Sequence, residues 1–251
     1  MIGGEPDEIL ARVASDRASV YAFLSVGFYL PEASLVWDLR EGSYVGGLEV
    51  AIAWLGPDAA PYRPHLADLR AATRTMAARP AADVLHELRV EHARLFTGPG
   101  RPEVGAFESE HLDRDGDGPG RLDGPSSRRV AAWYRAAGFA RAAAHHDLPD
   151  HVATELEFLH ALARDEAARR REGRIDDASE LRRVTDRFLR EHAGRWMPEF
   201  GRAALAATTN PFYRSLAGLL IVHIAMELGE GFDRTALPWA GDPAKSRTGG
   251  G

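Results

Sequence analysis

The residues of this chain that could do chemistry are carboxylates and imidazoles, because it contains no cysteine. Disulfides, thiol catalysis, and cysteine-ligated zinc or iron–sulfur clusters are therefore excluded. Glu108-Ser109-Glu110-His111 and Glu157-Phe158-Leu159-His160 both read Glu-x-x-His. Two such copies on long helices would supply a di-iron carboxylate site, since positions three apart share a helix face. The first copy sits in a stretch rich in Gly, Pro and Asp, which argues against that site. Asp113-x-Asp115-x-Asp117-Gly118 opens like an EF-hand calcium loop, but its twelfth position is Gly124, where a bidentate glutamate is required. His145-His146 with His151 has no ligand pattern, and Arg169-Arg170-Arg171 suits a helix C-terminus. Asp150-His151 with Glu155 is different. His151 and Glu155 are four apart and share a face, and Asp150 is placed to accept from the free amides of a new helix as its N-cap. No Walker-type glycine loop and no Ser/His/Asp or nucleophile-elbow arrangement occurs. The expectation is no catalytic residue, no metal site and no cofactor.

The elements that must position these residues are helices. Ala, Leu, Arg and Glu dominate, and period-two β-branched runs are absent. The spacing of Leu10, Val13, Val20, Leu24 and Phe28 predicts a helix over about Asp7–Tyr29, closed by Pro31. Shorter helices are expected at Ser34–Arg40, Val45–Leu55 and Pro64–Ala78. A longer one runs over Ala82–Phe96, with Leu85, Leu88, His92 and Leu95 at spacings of three and four. Gly98 to Ser126 reads as a loop. Helices resume near Ser127–Ala144, Asp150–Arg171, Asp176–Gly194, Trp196–Ala207 and Pro211–Leu228. The fold class is thus all-α, a bundle of roughly ten helices. It is expected to form one domain over 1–228, with a division into two lobes near 98–126 as the alternative. The tail, 229–251, loses its apolar period and is expected to be partly disordered.

Composition limits the partners. The chain has 251 residues, 45% of them hydrophobic, and a net charge of -6. A mildly acidic surface argues against nucleic acid and suits a basic peptide. The most apolar run, Leu216 to Val222, is too short to span a bilayer and reads as a buried helix. Met1 to Glu8 is acidic with no apolar run, so a cytoplasmic location without membrane insertion is expected.

Two segments then carry a resemblance. One is Glu91-His92-Ala93-Arg94-Leu95-Phe96-Thr97-Gly98-Pro99-Gly100, continuing to Phe107-Glu108-Ser109. Its glycines are expected to leave the helix with positive φ, and Pro99 to block continuation. The other is Leu148-Pro149-Asp150-His151, then Glu155-Leu156-Glu157-Phe158. The pair resembles the signature of the TorD/DmsD/NarJ chaperone family: a Leu-Phe-x-Gly turn, a Glu-Ser, and a Pro-Asp-His-x-x-x-Glu-Leu-Glu-Phe helix start. Trp133-Tyr134-Arg135-Ala136-Ala137-Gly138, Phe188 to His192 with Trp196, and Phe212-Tyr213 are similar as well. The likeness runs from about Val20 to Leu228. His92 and His111 stand where the family pattern has aromatic residues.

The resemblance implies an all-α, system-specific chaperone, monomeric or a helix-exchanged dimer. Its partner would be the precursor of a molybdopterin oxidoreductase catalytic subunit, held through its twin-arginine leader or its apo-form until the cofactor is inserted, with proofreading of twin-arginine export. A twin-arginine leader needs carboxylates for bidentate pairing and an apolar groove. Asp150, His151, Glu155, Glu108 and Glu157 are the polar candidates, Leu95, Phe96, Trp133, Tyr134 and Phe158 the groove candidates, and Gly98 with Pro99 the turn that sets them. The alternatives are the di-iron metalloenzyme and a helical interaction protein indifferent to arginines.

Overall fold

The computed structural model describes residues 4–53, 56–98, 102–114, 120–140 and 148–229. Among them the regular elements are helical. They are α1 (Gly4–Phe28), α2 (Ala33–Glu41), α3 (Ser43–Ala53), a 3-10 segment over Gly56–Tyr62, α4 (Arg63–Ala77), α5 (Ala81–His92), a π turn over Ala93–Thr97, α6 (Glu108–Leu112), α7 (Pro125–Ala136), α8 (Val152–Arg171), α9 (Ile175–Glu191), α10 (Ala193–Ala207) and α11 (Pro211–Glu227). The all-α reading is correct. The β-type contact present is an isolated antiparallel bridge between Phe107 and His151.

The centre is built from α1 and α8, which pack along each other, flanked by α9, α10 and α11. Small residues permit this. Ala11, Ala14 and Ala18 of α1 and Ala153, Ala163 and Ala167 of α8 are buried, so the two backbones approach closely. The Ser25 hydroxyl donates to the Ala153 carbonyl at 2.8 Å. Helix α11 is buried on every side from Ser215 to Ile224, as expected of a helix apolar all round. The Leu216–Val222 run is therefore core, and among the described residues no helix is long and apolar enough to cross a membrane. Gly218 lets α4 rest on α11, since a β-carbon there would lie 2.3 Å from the His65 ring. The outer α9 buries only Ala178, Thr185, Phe188 and Leu189. Phe158, Phe188, Trp196 and Phe200 are fully buried where α8, α9 and α10 meet. Each such side chain contributes on the order of 2–3 kcal/mol.

Local chemistry ends the helices. Gly42 closes α2 at φ 82°. Asn210 caps α11, its side chain accepting from the Phe212 amide at 3.0 Å, with Pro211 at the first helical position. The expected Ser127–Ala144 helix stops at Ala136. Gly138 takes φ 67°, and the Phe139 amide returns to the Tyr134 carbonyl at 2.8 Å, a Schellman closure. Two elements went unexpected: the 3-10 segment, whose Pro61 denies it an α-helical donor, and α6 inside the expected loop. The expected single helix over 82–96 is α5 continued by the π turn, a rare geometry found mostly at functional sites. The tail beyond Gly229 lies outside the described residues.

Candidate functional site

The start of α8 decides the site. His151, not Asp150, is its N-cap: the His151 Nδ1 accepts from the Ala153 amide at 3.3 Å. Asp150 instead reaches across to α6, where its Oδ2 accepts from the Ser109 amide at 2.9 Å. The expected role for Asp150 is thus corrected from capping its own helix to capping a helix 41 residues earlier. The cause is backbone pairing. The Glu108 amide donates to the Asp150 carbonyl and the Val152 amide to the Ala106 carbonyl, both at 2.9 Å. This turns the Asp150 carboxylate toward the free amides of α6. The Glu110 carboxylate accepts from the Phe107 amide at 3.3 Å and closes the same turn. The His151 ring lies 5.1 Å from Phe107 and stacks at 6.1 Å on Tyr29.

Behind this junction lies a buried acidic cluster. Glu108, Asp150 and Glu155 are fully buried. Both oxygens of Glu108 lie 3.0 Å from the His192 Nδ1. Glu155 Oε2 accepts from the Trp196 indole at 3.2 Å. Burial, then the charge of Glu108, pushes the Glu155 carboxyl well above the usual carboxylate range. Its other oxygen is buried with no hydrogen-bond partner. Asp150 Oδ1, Ser109 Oγ and Ser127 Oγ are buried without a partner. Tyr134 donates to the Pro149 carbonyl at 2.7 Å, and burial holds its phenol well above its ordinary value.

The remaining candidates divide. Leu95, Phe96, Tyr134 and Phe158 are core residues and do not line an open groove in this conformation. Phe96 packs within 5.6 Å of Phe200 and 5.9 Å of Tyr213, and Phe158 within 4.9 Å of Phe188. Trp133 is half-buried, with the Arg187 guanidinium 6.0 Å over its ring. Glu157 is half-buried and accepts from the Tyr29 hydroxyl at 2.8 Å. The positive φ expected of Gly98 is not found; its φ is -24°. It is tight for another reason, since a β-carbon there would sit 3.1 Å from the Ala93 carbonyl oxygen. Pro99 lies outside the described residues. His92 and His111 occupy aromatic positions in fact: His92 packs 5.2 Å from Phe96, and His111 lies 5.2 Å from Trp196. Burial lowers the His111 pKa and keeps its ring neutral.

The two Glu-x-x-His copies do not converge. Glu108 faces His192, His111 binds the Gly105 carbonyl at 2.8 Å, Glu157 faces Tyr29, and His160 binds the Ala18 carbonyl at 2.8 Å. Among the described residues no group of three or more His, Asp and Glu could hold a metal ion. Asp113 spends its carboxylate on Ser126, with both bonds at 2.7 Å, while Asp115, Asp117 and Gly118 lie outside the described residues. His192, Trp196 and Ser109 are the site members not singled out as candidates from the sequence. His192 and Trp196 lie 84 and 41 residues from the carboxylates they hold, and only their place in the family pattern marked them.

Residues 57–202 match the family model described as the nitrate reductase delta subunit. The span includes the whole acidic cluster. The chain is 33% identical over 152 residues to the selenate reductase assembly chaperone protein of Thauera selenatis, covering 58% of this chain and 72% of that one. It is 37% identical over 86 residues to the chlorate reductase assembly chaperone protein of Ideonella dechloratans, covering 34% of this chain and 43% of that one. It is 22% identical over 146 residues to the chaperone protein TorD of Aliivibrio fischeri, covering 58% and 65%.

Proposed function

The chain belongs to the nitrate reductase delta subunit family, and from that premise we propose that it is an assembly chaperone, acting by binding, for the precursor of a molybdopterin oxidoreductase catalytic subunit. The names of its relatives, chaperones of selenate and chlorate reductase assembly, support this. The client is held in the cytoplasm through its twin-arginine leader while the cofactor is inserted, and its export waits on release.

The observation that carries the leader reading is the acidic cluster. Three carboxylates are buried together, only Glu108 has an imidazole against it, and Asp150 and Glu155 have no cationic partner among the described residues. A guanidinium is the side chain that suits such a place. It is planar, always charged, and offers five donors to carboxylate pairs. Chain chemistry supports binding and not turnover, since among the described residues the buried Ser109 and Ser127 hydroxyls have no base hydrogen-bonded to them.

Calorimetry with a synthetic peptide of two adjacent arginines followed by an apolar stretch tests this. Binding is expected to weaken as salt rises but to persist, because the charged pairs are screened and the apolar contact is not. Replacing both arginines with lysine should cost most of the affinity, since lysine cannot make the bidentate pair. Affinity indifferent to salt and to both arginines would sink the leader reading and leave a generic helical binder.

A further inference from the structure

We infer that residues 104–112 are a placeholder: an extended client segment binds by pairing its main chain with residues 150–152, where Phe107 now pairs, and seats an arginine between Asp150 and Glu155. This rests on the leader reading above and adds the mode of entry.

The placeholder is held in the manner of an added strand. The Glu108 amide and the Ala106 carbonyl make the two bonds of a single antiparallel step with Asp150 and Val152, and nothing extends that ladder. Main-chain bonds of this kind are what an incoming peptide can replace one for one. The apolar anchors of the segment are small. Val104 and Ala106 are buried, while Phe107 and Leu112 are only partly so. Its other ties are the Val104 amide to the Leu95 carbonyl at 2.9 Å, the Gly120 amide to the Glu110 carbonyl at 2.8 Å, His111 to Gly105 within the segment, and Arg114 to Glu199 at the surface.

What lies beneath is left incomplete by the placeholder. Asp150 spends one oxygen on the Ser109 amide and keeps the other buried with no partner. Ser109 Oγ and Ser127 Oγ are likewise unsatisfied. Native interiors rarely leave such atoms unpaired, and a cluster of them marks a place finished by something else. Asp150 and Glu155 have no arginine or lysine partner among the described residues. Withdrawal of the segment takes the Glu108 carboxylate out as a client guanidinium comes in. One negative charge leaves, one positive charge enters, and the free Asp150 oxygen and Glu155 acquire donors.

The absence of cysteine makes the test clean. Phe107 and His151 form the pair whose own amides are not bonded to each other, a geometry with Cα atoms about 4.5 Å apart and within disulfide reach. A Phe107→Cys, His151→Cys variant is titrated with the arginine peptide in its reduced and its oxidised form. Oxidation should weaken binding by about a hundredfold, the worth of two main-chain bonds and a charged pair. Equal affinity in the two forms overturns the inference. Since His151 is itself a candidate contact, the wild-type chain supplies a second measurement, hydrogen exchange with and without peptide. The Glu108 and Ser109 amides should lose protection on binding, while the Val152 amide keeps it because a client carbonyl replaces that of Ala106. Retained protection at Glu108 and Ser109 overturns the inference even if the variant misfolds. If the wild-type chain binds no arginine peptide at all, it is the leader reading that fails, and the inference goes with it.

Discussion

Arg17, Glu166 and Glu227 are nearly buried among the helices and Glu108, Asp150 and Glu155 wholly so, but their accounts of charge differ. The Arg17 guanidinium meets Glu227 at 2.8 Å and Glu166 at 3.1 Å, with side chains 5%, 10% and 4% exposed. Arg182 adds a bond to Glu227 at 3.2 Å, Arg170 one to Glu166 at 2.9 Å, and Tyr21 one to Glu227 at 3.1 Å. Cations outnumber the two carboxylates, and all four carboxylate oxygens are engaged. At the other cluster only one of the three carboxylates, Glu108, meets an imidazole, and one oxygen each of Asp150 and Glu155 is left without a partner. A saturated network tying α1, α8, α9 and α11 together is how a fold is held. An unsaturated one at the foot of a loop is how a partner is awaited.

The largest expected effect is on the saturated side. Arg17→Leu leaves Glu166 and Glu227 buried with less than their due of positive charge. Breaking a buried pair this way costs about 3–5 kcal/mol, measured as a lower denaturant midpoint. Acid should act on the same place. Burial alone would raise the Glu227 carboxyl, but Arg17 and Arg182 more than offset it and hold it at about 2. Its folded value is depressed, so its stabilisation is present above about pH 4.5 and is lost as pH falls toward 2. In Arg17→Leu that low-pH slope should shrink. A variant that melts within about 1 kcal/mol of wild type would break the contrast, since the network would then be idle.

How far the sequence could carry this contrast depends on the kind of signal. Helices α1 and α5 were legible because their apolar residues recur at three and four, and α11 because its apolar run is too long for a surface face. The Asp150–His151–Glu155 group was legible because its members are neighbours on one helix start. The two roles at that start could not be separated, because whether Asp150 caps α8 or α6 depends on a backbone pairing 41 residues away. Leu95, Phe96 and Phe158 read equally well as groove or as core, since residue type and period do not distinguish a buried face from an open one. The saturated network was invisible. Arg17 and Glu227 are 210 residues apart, and each is an ordinary helix residue until the fold joins them.

A middle-sized effect is expected on the unsaturated side. Asp150→Ala with His151→Ala removes the cap of α6 and the cap of α8. Caps are worth about 1 kcal/mol each, so a stability loss of about 2 kcal/mol is expected, and a bundle of this size should survive it. Client capture should fall much further, to the level of a peptide lacking both arginines. Melting temperature and peptide affinity measured on the same double mutant separate the two. Normal capture and maturation at reduced stability would make these residues caps and nothing more, and would erase the difference between the two clusters.

The smallest expected effect on stability is the sharpest test of the contrast. Burial and the charge of Glu108 raise the Glu155 carboxyl well above its ordinary value. A group whose folded value is raised is favoured by acid: its contribution is present below about pH 4.5 and is lost as pH rises toward the folded value. Above about pH 4.5 the fold therefore bears a cost at this carboxyl that the unfolded chain does not. Glu155→Gln removes the cost and keeps the shape. The amide oxygen can still accept from Trp196, and the amide NH2 brings a donor beside Glu108. The variant should melt at or slightly above wild type at pH 7, with the advantage shrinking to nothing near pH 4.5. Arginine-peptide affinity should nevertheless drop at every pH, because glutamine cannot lose a proton to meet a guanidinium. The same substitution at Glu227 should do the opposite to stability, since that carboxylate is already charged and paired. If Glu155→Gln destabilises the chain as much as Glu227→Gln, the acidic cluster is as structural as the network. If it stabilises the chain while abolishing peptide binding, stability has been surrendered at this one place for the sake of a cation from outside.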